Sequence, residues 1–269
     1  MMNQVQGLAA EITSRYGTIK RARNCFLYTA KGVRLTDMFL EGGRAILGWG
    51  GSSAFTVFKN VLSRGLTGSF DTDFTPHAEG GKSQLSRAVS ELLASERDIC
   101  LFTGKQAALK SALETAPDST SIYKPWAEGA DWSKVKAVII EAPLPWTASC
   151  WILAVEAGTA IPAESAAIPA PLCAAISRSI YNLIAALQER EEKDWFIYDS
   201  VLTKYWTRKG PYLYPKVSKE LYPLFVRHCL DQEIVISPIY EQPSIVPFGA
   251  DKGVFSKLER NPFSFQEKP

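Results

Sequence analysis

The sequence predicts an α/β protein. A mostly parallel sheet carries helices on its faces, and a smaller α+β part forms the C-terminal third. Three observations predict this. Asp98–Ala116 reads as a strand, a tight turn and a helix start. Lys136–Glu141, KAVIIE, runs without a polar break, as a parallel strand covered on both faces does. From Asp194 onward the chain grows richer in Tyr, Trp and Pro and alternates short strands with helices. The domain boundary is therefore placed between 193 and 194, with residues 1–50 expected to pack on the small C-terminal domain.

Taken in order, residues 1–23 read as a short helix and a basic connector holding Lys20, Arg21 and Arg23. Asn24–Leu40 reads as two strands about a turn at Ala30-Lys31-Gly32. Glycines then crowd the stretch from Gly42 to Gly51, marking a loop that approaches something closely. Ser52 or Ser53 is the expected cap of a helix through Phe55, Phe58 and Leu62. A polar linker with Pro76-His77 precedes a helix over Ser83–Ser95, whose Leu85, Val89 and Leu92 face inward.

In the central unit, Ile99–Phe102 is the strand, Thr103-Gly104 the break, and Lys105 the first helical residue. Pro117–Lys134 is expected to be irregular, and Cys150–Val155 to be another buried strand. The longest helix runs from Pro171 to Glu192, with proline suited to its first turn. In the last third, Ser218 is the expected cap of a helix through Leu221, Phe225 and Cys229. Glu233–Ser237 reads as a strand, and Asp251 opens a short helix to Leu258.

Composition narrows the function classes. The chain is 46% hydrophobic and 22% charged, enough apolar matter for a sizeable core. A net charge of +2 without a basic stripe argues against nucleic acid as a partner. The sequence has no uninterrupted apolar run of roughly 18 residues, and its N-terminus lacks the apolar core of a signal peptide. No membrane partner is expected. Cys25, Cys100, Cys150, Cys173 and Cys229 are dispersed with no CxxC pair, the pattern of reduced buried thiols in a cytoplasmic protein. No metal site is expected, because His77 and His228 stand apart from the cysteines.

The candidate site is the turn Thr103-Gly104-Lys105. Amides at a helix start, a hydroxyl and an ammonium converge there, a combination that suits an anion. Glu141, at the carboxyl end of a strand, is the candidate to accept a hydrogen bond from the same ligand. Each has an ordinary alternative: a surface turn, and a strand-end residue capping a loop. Lys204 and Lys209 lie outside the central unit. His77 reads as a loop residue and His228 as a boundary residue beside an apolar stripe. Cys173 sits near a helix start, which lowers a thiol pKa, although burial gives an inert thiol. Gly48-Trp49-Gly50-Gly51 lacks the GxGxxG order of a dinucleotide loop.

The order of these segments resembles that of the class III aminotransferases, pyridoxal-phosphate enzymes of fold type I. NCFLYTAKGVRLTDMFLEGGRAILGWG resembles their entry segment. LFTGKQAALKSALETA resembles their strand–Ser-Gly-Thr–helix segment, which holds the cofactor phosphate. VKAVIIEAP is similar to their strand ending in Glu-Pro, and PAPLCAAISRSIYNLIAALQER to the helix after the cofactor lysine. The tail from TRKGPYLYP through LDQEIVISPIYEQPSIVPF resembles their small C-terminal domain. The resemblance implies a shortened fold-type-I large domain and a homodimer, with residues from about Gly42 to Phe58 in its interface.

The chain departs from that family at the chemistry. Pro117–Lys134 is too short for the family's segment that stacks an aromatic on the cofactor ring. Residues 142–188 hold no aspartate to pair with the pyridine nitrogen, and only Glu156 and Glu164 as acids. Residues 137–192 hold no lysine for the imine. Pyridoxal chemistry uses both groups. No catalytic or cofactor-binding residue is therefore assigned. The expectation is a protein without covalent pyridoxal phosphate, at most a weak phosphate binder, that has lost transamination and acts as a binding or structural homodimer of unknown ligand, with a small anion as the candidate ligand. The alternative is an enzyme of altered chemistry acting on a phosphorylated or amino-acid-like small molecule.

Overall fold

The computed structural model describes residues 2–76, 82–148 and 150–265. His77 lies outside the described residues. The chain divides into two compact units. One joins residues 1–50 to 190–269, and the other is 51–189.

Helix α1 (Met2–Tyr16) opens the first unit, with Leu8 and Ile12 buried. β1 (Ile19–Arg23), β2 (Phe26–Thr29) and β3 (Arg34–Asp37) form an antiparallel meander. The stretch read as a basic connector is thus the edge strand β1. Its side chains are almost all exposed, so pairing satisfies its backbone while Lys20, Arg21 and Arg23 stay in water. Past β3 the chain turns sharply, with Leu40 and Glu41 at φ of 47° and 53°. Buried Asp37 holds that turn. Its Oδ1 accepts from the amides of Phe39 (2.9 Å) and Leu40 (3.0 Å), and its Oδ2 from Trp49 Nε1 (2.7 Å).

The second unit begins with α2 (Ser52–Ser63). Gly51, at φ 61°, occupies its N-cap instead of a serine; Ser53 Oγ instead donates to Asn182 (3.1 Å) and accepts from Arg178 (2.8 Å). α3 (Gln84–Leu92) carries the expected cap, Ser83 Oγ accepting from the Ser86 amide at 3.1 Å. β4 (Arg97–Phe102) leads through Thr103-Gly104 into α4 (Lys105–Thr115). β5 (Thr120–Ile122) lies inside the stretch read as irregular, its three residues too few to give a pattern. β6 (Ala137–Glu141) and β7 (Trp151–Glu156) follow.

The strand order is β4-β7-β6-β5. β5 and β6 are parallel, and β7 runs antiparallel to both β4 and β6. The sheet is mixed: β4, β5 and β6 share one direction and β7 opposes them. The outer edge of β4 is also covered, because the Leu101 amide donates to Ser165 Oγ (3.0 Å) and the Leu101 carbonyl accepts from the Ala166 amide (2.8 Å). α5 (Ala170–Glu189) closes the unit, packed on α2 and α3. Among the described residues it alone is long and apolar enough to cross a membrane by composition, and most of its apolar window is buried.

The chain then returns to the first unit. α6 (Glu192–Phe196) and α7 (Asp199–Leu202) precede β8 (Trp206–Lys209) and β9 (Tyr212–Pro215). α8 (Tyr222–Asp231) starts at Leu221, whose amide donates to Ser218 Oγ at 3.4 Å, so Ser218 supports the entry turn from outside the helix. The strand expected over Glu233–Ser237 is the two-residue β10 (Ile234–Val235), which joins the meander parallel to β3. β11 (Ser244–Ile245) pairs with β9. Asp251 caps the last turns, accepting from the Gly253 amide at 2.7 Å, ahead of α9 (Ser256–Arg260).

Candidate functional site

The turn after β4 and the end of β6 lie at one end of the same sheet. Register makes this explicit. Phe102 pairs with Trp151, and Trp151 pairs with Glu141. The three residues form a row across adjacent strands, so the turn and the carboxylate are two strand spacings apart, about 10 Å. All three strands are apolar and buried, because the sheet is covered: Ala108 and Ala112 of α4 pack against Cys100, Ile139 and Leu153. That packing fixes where α4 starts.

Thr103 is exposed, Gly104 half-buried and extended, and Lys105 exposed. As the N-cap, Gly104 has no side chain with which to close the first amides of α4, which is the property that suits a helix start to an anion. Lys105 Nζ lies 5.7 Å from the centroid of the Trp151 ring. A cation over an indole face is held there by the ring quadrupole. The ammonium is thus drawn toward the middle of the row, with Glu141 half-buried on the far side. The structure gathers all four candidate residues at this sheet end. It adds Trp151, which the sequence reading passed over as one more buried strand residue; its place opposite Phe102 is a matter of register.

Other candidates settle elsewhere. Cys173 is buried, its thiol pushed up to about 12 by burial and donating to the Ile168 carbonyl at 3.6 Å, so the nearby helix start does not activate it. Burial likewise raises the thiols of Cys25, Cys150 and Cys229. His228 Nε2 meets the Asn261 carbonyl at 2.9 Å and its ring packs on Phe263, a boundary role. Lys209 lies over Tyr214 in the β8–β9 hairpin and Lys204 in the turn before it, both in the first unit. The Gly48-Trp49 loop is a backbone tie, with Trp49 and Asn24 exchanging amide hydrogen bonds. Among the described residues no group of three metal-ligating side chains comes together.

No protein-family model matches the chain. An uncharacterised protein of Treponema pallidum is 27% identical over 296 residues, covering 90% of this chain and 93% of that protein. One of Borreliella burgdorferi is 24% identical over 258 residues, covering 93% and 91%. Among solved structures, the ornithine aminotransferase of Plasmodium yoelii matches with TM-score 0.65 at 11% identity, covering 93% of this chain and 96% of that one. The acetylornithine aminotransferase of Elizabethkingia anophelis gives 0.65 at 9%, with the same coverage. The omega-transaminase of Sphaerobacter thermophilus gives 0.63 at 10%, covering 94% and 97%.

These likenesses correct the expectation that no cofactor is to be looked for. The solved neighbours are aminotransferases, and that of Toxoplasma gondii is described with partial occupancy of PLP at its active site. The fold is one that holds pyridoxal phosphate. The residues present fit that group at one end. Thr103, Gly104 and Lys105 offer a hydroxyl, helix-start amides and a cation to a phosphate. They do not fit at the other: residues 137–192, from β6 through α5, contain no lysine for an imine. When bound, the group supplies an electron sink for chemistry at a substrate carbon. The fold of this chain is that of the class III pyridoxal-phosphate-dependent aminotransferases.

Proposed function

We propose that this protein is an aminotransferase-fold relative that does not transaminate and serves as a homodimeric binding protein for a small anionic ligand. The observation that carries the reading is the lysine-free run from Ala137 to Glu192, which spans β6, β7 and α5. Transamination needs a base at the substrate carbon, and the imine lysine provides it. The ligand is held by the α4 amides, Thr103 Oγ and Lys105, with Glu141 accepting a hydrogen bond from its far side. Pyridoxal phosphate is the natural probe of this site.

The test is amino transfer itself. The full-length protein is incubated with pyridoxal phosphate, 2-oxoglutarate and a panel of amino donors including ornithine, and glutamate is measured. No glutamate above the protein-free control is expected; turnover with any donor would overturn the reading. The homodimer reading has separate support. α2 exposes Leu62 and brings Phe55 and Phe58 beside half-exposed Trp146, an apolar face of the kind that assembly covers. Five free, buried thiols support a reducing, cytoplasmic setting.

A further inference from the structure

The sheet of the first unit ends on an open strand. In the order β1-β2-β3-β10, β1 has a partner on one side only. Its residues are exposed except for half-buried Ala22. Apart from the ladder to β2, no backbone group of Ile19–Arg23 bonds to another described residue. Unpaired amides and carbonyls along such an edge are a template for a further strand. The open stretch is bounded at both ends. After it, Asn24 and Trp49 exchange backbone hydrogen bonds of 3.3 and 2.7 Å, and before it the Thr18 carbonyl accepts from the Ala30 amide at 2.8 Å.

Cations concentrate on one face of this edge. Arg21 pairs with Tyr28 and Tyr28 with Arg34, while Arg23 pairs with Phe26. Residues two apart on a strand share a face, so the three arginines stand on one side of the meander and Ala22, Leu27 and Leu35 on the other. The Arg21 guanidinium carbon lies 5.6 Å from the centroid of the Tyr28 ring, and that of Arg34 lies 4.5 Å from the centroid of Phe26. The rings steady these cations without neutralising them. Exposed Lys20 adds a fourth. Among the described residues no acidic side chain pairs with any of the four. The whole chain carries a net charge of only +2, so this is a local concentration of uncompensated charge.

The charge selects the occupant. A second copy of this chain would set arginines against arginines, and like charges directly opposite destabilise a ladder. Single-stranded nucleic acid stacks its bases on open aromatic faces, whereas Tyr28 and Phe26 are half-buried and already carry Arg21 and Arg34. An extended acidic peptide satisfies the open backbone and the charge together. The register shifts between Ile19 and Arg21, which leaves Arg21–Arg23 as the regular ladder. So short a ladder does not hold a strand by backbone bonds alone, and the arginines decide which strand is taken.

We propose that β1 accepts an extended acidic segment of a partner protein as an added edge strand, its carboxylates at alternate positions opposite Arg21 and Arg23. Alternate residues of a strand are about 7 Å apart, so a carboxylate at every second residue meets both arginines. This surface lies in the first unit and the Thr103 turn in the second, so either reading can fail without the other.

The probe is a fluorescein-labelled octapeptide of alternating Glu and Thr, titrated with the full-length protein at low salt and followed by anisotropy. Binding is expected with Kd on the order of 100 µM, weakening as salt is added. The same peptide methylated at every backbone amide keeps its charge but cannot donate to a ladder, and is expected to bind about tenfold more weakly. An oligothymidylate of equal length is expected to bind more weakly than the peptide. Arg21→Gln with Arg23→Gln is expected to weaken the peptide about tenfold, and Arg21→Glu with Arg23→Glu to exchange it for an alternating Lys-Thr peptide. Should the double variants not fold, the methylated peptide decides on the wild-type protein. No binding of the Glu-Thr peptide, equal binding of its methylated form, tighter binding of the oligonucleotide, or unchanged affinity in a folded double variant overturns the proposal.

Discussion

Two buried charged side chains set the behaviour of this protein at the residue scale. Asp37 is fully enclosed, and burial pushes its carboxyl up to about 6 despite three donors aimed at it. Its folded value lies above the ordinary aspartate value of about 3.9, so the folded state favours the proton. The stability that this group contributes is fully present below about pH 4 and is lost as pH rises through 6, on the order of 2–3 kcal/mol. Asp37→Asn carries no such titration. Thermal melts at pH 5 and 7.5 should show a smaller drop for Asp37→Asn than for wild type, whatever the variant's absolute stability; equal drops would dismiss the idea.

Arg97 is the second, only 1% exposed at the head of β4. Its Nη1 donates to the carbonyls of Val135 (2.7 Å) and Lys136 (3.2 Å), its Nη2 to those of Trp132 (3.0 Å) and Ser133 (3.1 Å), and its Nε to Ser95 Oγ (2.8 Å). One guanidinium thus satisfies the backbone that delivers the chain into β6. Arg97→Met strands those carbonyls at about 1–3 kcal/mol for each that stays buried, so a loss of at least about 3 kcal/mol is expected in urea unfolding. A change below about 1 kcal/mol would mean that water replaces the side chain.

At the scale of elements, the central strand–turn–helix was readable because two periodicities meet at Thr103-Gly104. β6 and β7 were readable as strands because Ala137–Ile140 and Trp151–Val155 are apolar throughout and buried. Their relative direction is another matter. An apolar run carries no arrow, yet the nine residues between Glu141 and Trp151 are too few for a parallel crossover, which needs a dozen or more. That length was the overlooked signal for an antiparallel β7. β1 was missed because its side chains report only solvent, and β5 because it is three residues long. Of the site, Thr103, Gly104, Lys105 and Glu141 were legible as types at element ends, whereas Trp151 depends on pairing that no local pattern encodes. The proposed role of the α4 start is tested by Lys105→Ala, since a helix first turn tolerates alanine. Wild type should gain a modest rise in melting temperature with millimolar pyridoxal phosphate, weakened by salt, and the variant should lose most of it. Identical responses would reduce the site to a turn.

At the scale of the whole molecule, assembly is the question that activity assays leave open. Light scattering at micromolar concentration is expected to give twice the 29.7 kDa chain mass. A monomer would refute the homodimer and leave Phe55, Phe58, Leu62 and Trp146 as a solvent-facing patch.

The division of the chain has a consequence for its synthesis. Residues 51–189 form a unit contiguous in sequence, while the other unit joins residues 1–50 to 190–269. On the ribosome, β3 emerges some two hundred residues before its parallel partner β10, which pairs Ile234 with Thr36 and Val235 with Asp37. At roughly 5–20 residues per second, β3 waits on the order of 10–40 s with an open edge, while the intervening unit has all its residues in hand. Nascent chains arrested just before β10, with residues 51–189 clear of the ribosome, should therefore protect the 51–189 segment from protease and leave residues 1–50 cleavable. Chaperones that recognise unpaired strand edges have their window there.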